Sequence, residues 1–308
     1  MIAASAFAYQ PSGVGTSTGL HTLSTVTKTV EPYLSNWRIG ATVPDGPVEG
    51  TPIVFNNKLY TIVGLSSSGN VTGFMRIDGD VLGEATRPFV SIPDMSYISA
   101  FVTGGTVYVF GSSADRQRIK MVSSTDLASW TAPVTVYTVP ANFGAYNTSV
   151  TANAAGNGFV MAVEVTDPAY PSIPFVVRFL ASTNLSAWTM LPSVFNNNGT
   201  FANCPTIRYV GGNYYMLYMS WVVDSHMTFI VRSHDLITWE PGTGYPDGAT
   251  VPFVAVNTEG NNNSDVDLVE HNGKVFFLFA RGNQTSWLEM TYAWFNGTMA
   301  QYFQSFYP

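Results

Sequence analysis

Short apolar stretches recur along the whole chain, separated by turns rich in Gly and Asn. Examples are "TPIVF", "KLYTIVG", "TVYVFGS", "GFVMAVEV", "NYYMLYMSW" and "KVFFLFA". Runs of four to eight apolar or alternating residues between turn residues predict β-strands. No long stretch has the 3.6-residue period of an amphipathic helix, and 18 Pro and 27 Gly punctuate the chain. The pattern therefore predicts an all-β protein made of many short antiparallel strands.

A repeat organises these strands. A turn followed by an aromatic residue occurs at Tyr60, Tyr108, Phe159, Tyr215 and Phe276, with steps of 48, 51, 56 and 61 residues. Units of about 50 residues with room for four strands each are typical of β-propeller blades. We therefore predict a five-bladed β-propeller of four-stranded antiparallel blades, with blades at about 48–92, 96–140, 146–196, 202–250 and 263–308.

The N-terminal region precedes the first repeat. An open ring of blades would leave two strand edges unpaired, so a strand within 20–45 is expected to close the ring against the last blade. Residues 1–19 are rich in Gly, Ser and Thr and are expected to form an arm outside the propeller of residues 20–308. That arm is expected to contact a neighbouring subunit of a homo-oligomer or a neighbour in a virion.

A second repeat, Leu-x-x-Trp, marks the outer turns. It occurs in "STDLASW" (124–130), "STNLSAW" (182–188), "SHDLITW" (233–239) and "YLSNW" (33–37). Ser, Thr, Asn and Asp before the Leu favour a turn, and Leu and Trp are suited to packing between blades. We predict a packing role; ligand contact is the alternative.

Composition excludes several classes of function. Charged residues make up only 11% of the 308 residues, the net charge is −7, and no basic cluster is present, which argues against binding nucleic acid. No run of about 20 apolar residues predicts a membrane span. The N-terminus has no basic region before its short apolar run, so no cleaved export signal is expected. Location is left open between a virion or extracellular surface and the cytoplasm.

The "S-x-D-L-x-x-W" turns and the five-fold repeat together resemble the five-bladed propellers of glycoside hydrolase family 43 and related invertase-like families. The resemblance covers most of residues 45–308 and implies that the central funnel handles carbohydrate. In such enzymes the reactive carboxylates lie near the start of each blade's innermost strand. Counting eleven residues back from each turn aromatic gives the corresponding positions, which are Glu49, Tyr97, Thr148, Cys204 and Asp265.

The resemblance also implies roles for these acids. "VEGTPIVF" (48–55) is similar to the acid-bearing "E-G-P-x-I" strand of that family, which would make Glu49 the proton donor and Asp265 its partner base. Glycosidic hydrolysis needs such a pair, one protonated and one ionised. The family's set of acids in successive blades is incomplete here. Thr148 occupies the position of the third-blade acid, and in the second blade the nearest acid is Asp94. The catalytic candidates are thus Glu49, Asp265 and Asp94.

Other acids and the single cysteine leave alternatives open. Glu164 lies within a hydrophobic strand, so it is either paired for structural reasons or an acid with a raised pKa. Asp267 shares a strand face with Asp265, where it would contact sugar, bind Ca²⁺ with the Asn-rich loop nearby, or hydrogen-bond the turn backbone. Cys204 is expected to be a small packed residue. The four His residues show no ligand spacing, and no metal site is otherwise expected.

Aromatic and polar residues near the strand starts complete the predicted funnel. A sugar requires flat aromatic faces and polar groups, and the expected substrate contacts are Tyr97, Tyr146, Asn147, Asn203, Trp221 and Asp267. The sequence therefore predicts a carbohydrate-active propeller that binds a glycan in its central funnel and hydrolyses glycosidic bonds. The alternative is a non-catalytic sugar-binding or structural module, such as a phage virion or tail-associated protein.

Overall fold

The fold is an all-β propeller of antiparallel sheets. A computed structural model of the 308-residue chain describes residues 26–27, 47–67, 70–78, 89–92, 94–222, 225–242, 262–282 and 288–307. Within these ranges the only helical segments are the 3₁₀ turn Asn197–Gly199 and the helix α1, Met299–Gln304. The predicted scarcity of helix is confirmed. No helix among these residues is long and apolar enough to cross a membrane.

Three sheets have four strands each, in which consecutive strands pair antiparallel. The first contains β2 (Pro47–Phe55), β3 (Lys58–Ser67), β4 (Asn70–Asp78) and β5 (Phe89–Ser91). The second contains β6 (Ser96–Thr103), β7 (Thr106–Ser112), β8 (Arg118–Ser124) and β9 (Val134–Thr138). The third contains β10 (Gly144–Ala152), β11 (Phe159–Thr166), β12 (Val176–Ser182) and β13 (Thr189–Phe195).

The fourth sheet has eight strands. It contains β14 (Asn203–Val210), β15 (Asn213–Val222), β16 (Ser225–Ser233), β17 (Glu240–Pro241), β18 (Asn262–His271), β19 (Lys274–Gly282), β20 (Leu288–Asn296) and β1 (Val26–Thr27). Its two halves join where β16 and β18 run parallel, through the single pair Met227 and Asn263. The structure thus shows four sheets, and the predicted count of five blades is not confirmed.

The strand β1 lies within the stretch expected to close the ring. Val26 and Thr27 pair antiparallel with Phe295 and Trp294 of β20, so this short segment occupies an edge of the eight-stranded sheet. Residues 1–19, the predicted arm, lie outside the described residues. The role of the arm and of a closing strand therefore stays a prediction.

The Leu-x-x-Trp turns pack between the sheets. Leu127, Leu185 and Leu236 are buried and adopt left-handed φ angles of 61°, 66° and 63°. A serine hydroxyl accepts the amide hydrogen of each of these leucines, at 2.8 to 2.9 Å. Burying one leucine side chain contributes roughly 2 kcal/mol to stability. The three turns that the structure describes are therefore packing elements, as predicted.

The first strands of the repeats surround a common axis. β2, β6, β10, β14 and β18 lie side by side in cyclic order, with β18 returning to β2. Each has a β-bulge near its start, between Pro47 and Glu49 in β2, and in the others at 96–99, 145–148, 203–206 and 264–267. Because a bulge re-aims side chains, the strand starts can present residues to the axis that regular pleating would turn away.

Candidate functional site

The bulges define a set of equivalent positions around the axis. Tyr97, Cys204 and Asp265 each occupy the first bulge position of their strand, with left-handed φ angles of 54°, 46° and 55°. Non-glycine residues adopt this conformation at a cost, and such residues often cluster at functional sites. In β10 the equivalent residue is Tyr146, not Thr148, which lies two residues farther along the strand.

A layer of small polar residues lies just below the bulges. The hydroxyls of Ser99 and Thr148 are 2.9 Å apart, and the Thr206 hydroxyl donates to the carbonyl of Val266 at 2.9 Å. These residues surround a slot of about 30 Å³, large enough for about two water molecules. The slot is lined by Gly50, Thr51, Ile98, Ser99, Asn147, Thr148, Cys204, Pro205, Thr206, Asp265 and Asp267.

Two carboxylates meet at Cys204. Glu164, on β11, is only 3% exposed, and one of its carboxylate oxygens accepts a 2.9 Å hydrogen bond from the backbone amide of Cys204. The Cys204 thiol lies within hydrogen-bonding reach of both Glu164 and Asp265. Side chains from three different strands, β11, β14 and β18, therefore converge at the floor of the funnel.

Burial makes these two carboxyls hard to ionise. It raises the pKa of Glu164 to about 8; the Cys204 amide opposes the increase, and the negative charge of Asp265 adds to it. Burial also raises the pKa of Asp265, against hydrogen bonds from Cys204 and Ser264. Two neighbouring acids with raised pKa values favour a state in which at least one proton is retained near neutral pH.

The ion pair between Arg208 and Asp267 lies below the slot. The guanidinium of Arg208 binds the carboxylate of Asp267 and donates a 3.0 Å hydrogen bond to the carbonyl of Leu268. Asp267 lines the slot above, whereas Arg208 lines a separate cavity of about 260 Å³ below. Asp267, a predicted sugar contact, is 6% exposed, and its carboxylate already binds the guanidinium of Arg208.

Aromatic rings form a continuous row beside the strand starts. Tyr97 contacts Tyr146 edge to face at 5.6 Å, and Tyr146 contacts Phe175 at 5.1 Å. The row continues from Phe175 to Phe201 at 6.0 Å and from Phe201 to the half-buried His226 at 6.2 Å. The sequence predicts Tyr97 and Tyr146 as substrate contacts. The other members of the row, Phe175, Phe201 and His226, lie in or next to loops that no repeat marks.

The guanidinium of Arg116 joins this row. Arg116 lies in the loop between β7 and β8, and its guanidinium carbon is 4.4 Å from the ring centroid of Tyr97 and 5.4 Å from that of Tyr146. Its Nη1 donates to the Ser96 hydroxyl at 2.5 Å. Arg116 is close enough to Glu164 for its positive charge to lower the pKa of that carboxyl. No sequence motif indicated this residue.

The remaining predicted residues lie in different surroundings. Asp94 is exposed and pairs with Lys120, and its carboxylate also accepts the Ala114 amide hydrogen at 2.6 Å. Asn203 is buried, and its side-chain oxygen has no hydrogen-bond partner among the described residues. Glu49 and Trp221 pair through their backbones with Gly64 and His226, but their side chains lie outside the described part of the structure.

Ca²⁺ near Asp265 and Asp267 is one of the alternatives that the sequence leaves open, beside the expectation of no cofactor. Within the ranges that the structure describes, no group of three or more His, Cys, Asp or Glu residues could hold a metal ion. Arg208 already supplies a positive charge to Asp267. A Ca²⁺ ion near Asp265 and Asp267 therefore stays a prediction from the sequence.

Solved structures with a similar fold include glycoside hydrolases. An α-L-arabinofuranosidase from Podospora anserina, in complex with cellotriose, superposes with a TM-score of 0.62 at 10% identity, over 82% of this chain and 91% of that one. A thermostable family-43 glycoside hydrolase gives 0.59 at 11%, over 82% and 90%. An exo-1,5-α-L-arabinanase from a bovine ruminal metagenomic library gives 0.57 at 11%, over 81% and 93%.

The fold is a glycoside-hydrolase-like propeller. At these identities the likeness concerns the fold alone. No family model matches the chain, and no curated protein matches it. The function therefore has to be inferred from the residues of the funnel.

Proposed function

We propose that this propeller binds a glycan at the mouth of its central funnel and hydrolyses a glycosidic bond there, with Glu164 and Asp265 as the carboxyl pair. The observation that carries the proposal is the meeting of the buried Glu164 and the half-buried Asp265 at Cys204, beside a row of aromatic rings. The structural neighbours named above are glycoside hydrolases, one of them in complex with cellotriose, which supports the substrate class.

The proposed chemistry follows from the shared proton. A glycosidic bond is cleaved when one carboxyl protonates the leaving oxygen while a carboxylate opposite activates water or attacks the sugar. Glu164, with a pKa of about 8, holds a proton at neutral pH and would be the acid. Asp265 would be the carboxylate when the pair holds a single proton, and the slot beside it has room for the attacking water.

Glu49 remains the alternative partner of Asp265. It lies at the start of β2, and β2 is adjacent to β18 around the axis. This is the assignment that the family resemblance implies. Glu49→Gln and Glu164→Gln therefore have to be compared in the same assay, because the true acid is the one whose amide variant loses turnover.

The number of blades is also part of the proposal. We infer five blades, since five first strands surround the axis and the eight-stranded sheet consists of two successive groups joined only by the pair Met227 and Asn263. In this arrangement β1 serves as the outer strand of the last blade. A crystal structure of the whole chain would test the inference, and a single continuous blade across β14–β20 would contradict it.

A non-catalytic glycan-binding module is the second candidate. The observation in its favour is that Glu164 is 3% exposed and the slot holds only about two waters, so a sugar ring has to lie above both. A virion or tail-associated role remains an expectation from composition, and none of the neighbours named above is a virion protein.

One experiment separates the two candidates. A glycan array identifies ligands of the wild-type chain, and each ligand is then incubated with wild type, Glu164→Gln, Asp265→Asn, Glu49→Gln and a surface control, Asp115→Asn. Turnover lost in Asp265→Asn and one glutamine variant, but kept in the control, supports hydrolysis. Binding without turnover in the wild type supports the module. Absence of any glycan binding would contradict both.

A further inference from the structure

We propose that Arg116 binds a carboxylate of the glycan, so that the funnel selects uronate-containing glycans over neutral ones. The inference rests on the proposed glycan binding in the funnel but not on hydrolysis. It adds the substrate class and the residue that determines it.

Arg116 is held in position beside the aromatic row. Its backbone has a left-handed φ of 60°, and its carbonyl accepts the amide hydrogen of Ala145 at 2.9 Å, which ties the loop to β10. The Nη1 group donates to the Ser96 hydroxyl and to the Ser113 carbonyl. With Tyr97 in contact with the guanidinium, the orientation of the group is fixed before any ligand arrives.

Among the arginines whose side chains the structure describes, Arg116 is the one without an acidic partner. Among the residues with described side chains, the other four arginines each form an ion pair: Arg118 with Asp115, Arg178 with Asp167, Arg208 with Asp267 and Arg232 with Glu240. The Nε and Nη2 groups of Arg116 have no hydrogen-bond partner in the same part of the chain. A half-buried cation is thus left with donors available for a ligand.

The surroundings favour an anionic ligand locally. Glu164, whose pKa the charge of Arg116 lowers, still has a pKa of about 8 and keeps its proton at neutral pH, so it does not neutralise the guanidinium. Asp115, the residue before Arg116, is paired with Arg118 instead. A guanidinium with free donors binds a carboxylate through short, charge-assisted hydrogen bonds, which neutral hydroxyls do not match. Because the chain as a whole carries a net charge of −7, attraction of an acidic glycan has to come from this site and not from the overall charge.

The aromatic row supplies the remaining contact surface. Tyr146, Phe175 and Phe201 extend from Arg116 in steps of 5.1 and 6.0 Å between ring centroids, and aromatic rings of this kind pack against sugar rings. A glycan along this row would bring a carboxyl group next to Arg116. A hexuronate residue, which has its carboxyl on the ring, is the substrate class that these contacts fit.

The test compares oligogalacturonate with its methyl ester, which has the same backbone without the charge, by calorimetry. Neutral and sulfated xylo-oligosaccharides are further ligands.

We expect the wild type to bind oligogalacturonate at least about tenfold more tightly than the ester. Arg116→Gln should remove that difference, so that the acid and the ester bind with similar affinity. Arg116→Lys should keep part of it. The matched control is Arg118→Gln, which changes the net charge equally two residues away, at the start of β8, and should behave like wild type.

Failure of the inference and failure of the proposed function give different results. Equal binding of the acid and its ester by the wild type would overturn the role of Arg116 while leaving glycan binding intact. Tighter binding of the sulfated sugar than of oligogalacturonate would overturn the preference for uronate and show that the preferred anionic group is a sulfate. No binding of any ligand would overturn the proposed function itself. If Arg116→Gln does not fold, the shift in wild-type melting temperature caused by the acid, compared with that caused by the ester, decides the question.

Discussion

The backbone amide of Cys204 donates a 2.9 Å hydrogen bond to the carboxylate of Glu164. A strand start in one sheet thus holds an acid from the second strand of the preceding sheet. The contact depends on the left-handed bulge at Cys204, and it brings Glu164 near Asp265. The sequence alone leaves open whether Glu164 has a structural or a chemical role. In the structure, this contact places Glu164 at the floor of the funnel.

Glu164→Gln should change how stability depends on pH. Burial raises the pKa of Glu164 from 4.5 to about 8, so between these values the native protein keeps a proton that the unfolded chain releases. The free energy of unfolding therefore falls as pH rises through this window, by up to about 1.4 kcal/mol per pH unit from one group. Because glutamine cannot ionise, the variant should lose less stability than wild type between pH 5 and 8, as measured by urea denaturation. Parallel curves, or the same change in the surface variant Glu240→Gln, would contradict the prediction.

Arg208→Leu should destabilise the fold more than the double variant Arg208→Leu/Asp267→Leu. Removing one partner of a largely buried ion pair leaves an uncompensated charge and typically costs about 3–5 kcal/mol, whereas replacing both partners by apolar residues costs much less. Chemical denaturation of the single and double variants measures the difference. Arg118→Leu, at an exposed ion pair, is the control and should have little effect. An additive loss in the double variant would show that the pair is not coupled.

Leu185→Ala should lower the free energy of unfolding by about 2–4 kcal/mol without changing glycan affinity. The side chain is 2% exposed and packs between sheets, far along the strands from the bulges. Ile237, in the equivalent turn of the next repeat, is 67% exposed, so Ile237→Ala is the matched control with an effect near zero. Loss of glycan binding in a folded Leu185→Ala variant would support the ligand-contact alternative for these turns.

Bound glycan should protect Cys204 from alkylation. Cys204 is the only cysteine in the chain, is partly exposed and lines the slot, so a maleimide reports on this site alone. A ligand above the slot should slow labelling at least several-fold at saturation, which mass spectrometry measures. Cys204→Ser, which should show no labelling, controls for reaction elsewhere. A labelling rate that ligand leaves unchanged would place the glycan away from the slot.

Part of this site could be predicted from sequence because the repeat sets the position of each strand. Counting eleven residues back from the turn aromatics finds Tyr97, Cys204 and Asp265, which all lie at the same bulge position. The count gives Thr148 instead of Tyr146, because Tyr146 lies 13 residues before Phe159 whereas Tyr97 lies 11 before Tyr108. The turn before Phe159 is four residues longer, but Phe159 is the first residue of its strand and Tyr108 is the third of its own, so the net difference is two.

The other contacts were not predictable from the repeat. Arg116 reaches Tyr97 and Tyr146 from a loop whose conformation depends on long-range packing, and no spacing in the sequence indicates that contact. Phe175 and Phe201 join the row for the same reason. Sequence periodicity determines which residues face the axis, whereas the loops around it determine which side chains surround a ligand.

The ion pair between Arg208 and Asp267 has a further consequence for how a polymer can meet this protein. With these side chains across the axis and a slot of only about 30 Å³ above them, the funnel is a cup and not a tunnel. Under the proposed hydrolysis, a polysaccharide would not thread through this site and be cut while sliding. The site would accept a terminus or a short side branch, and each product would leave by the mouth through which the substrate entered.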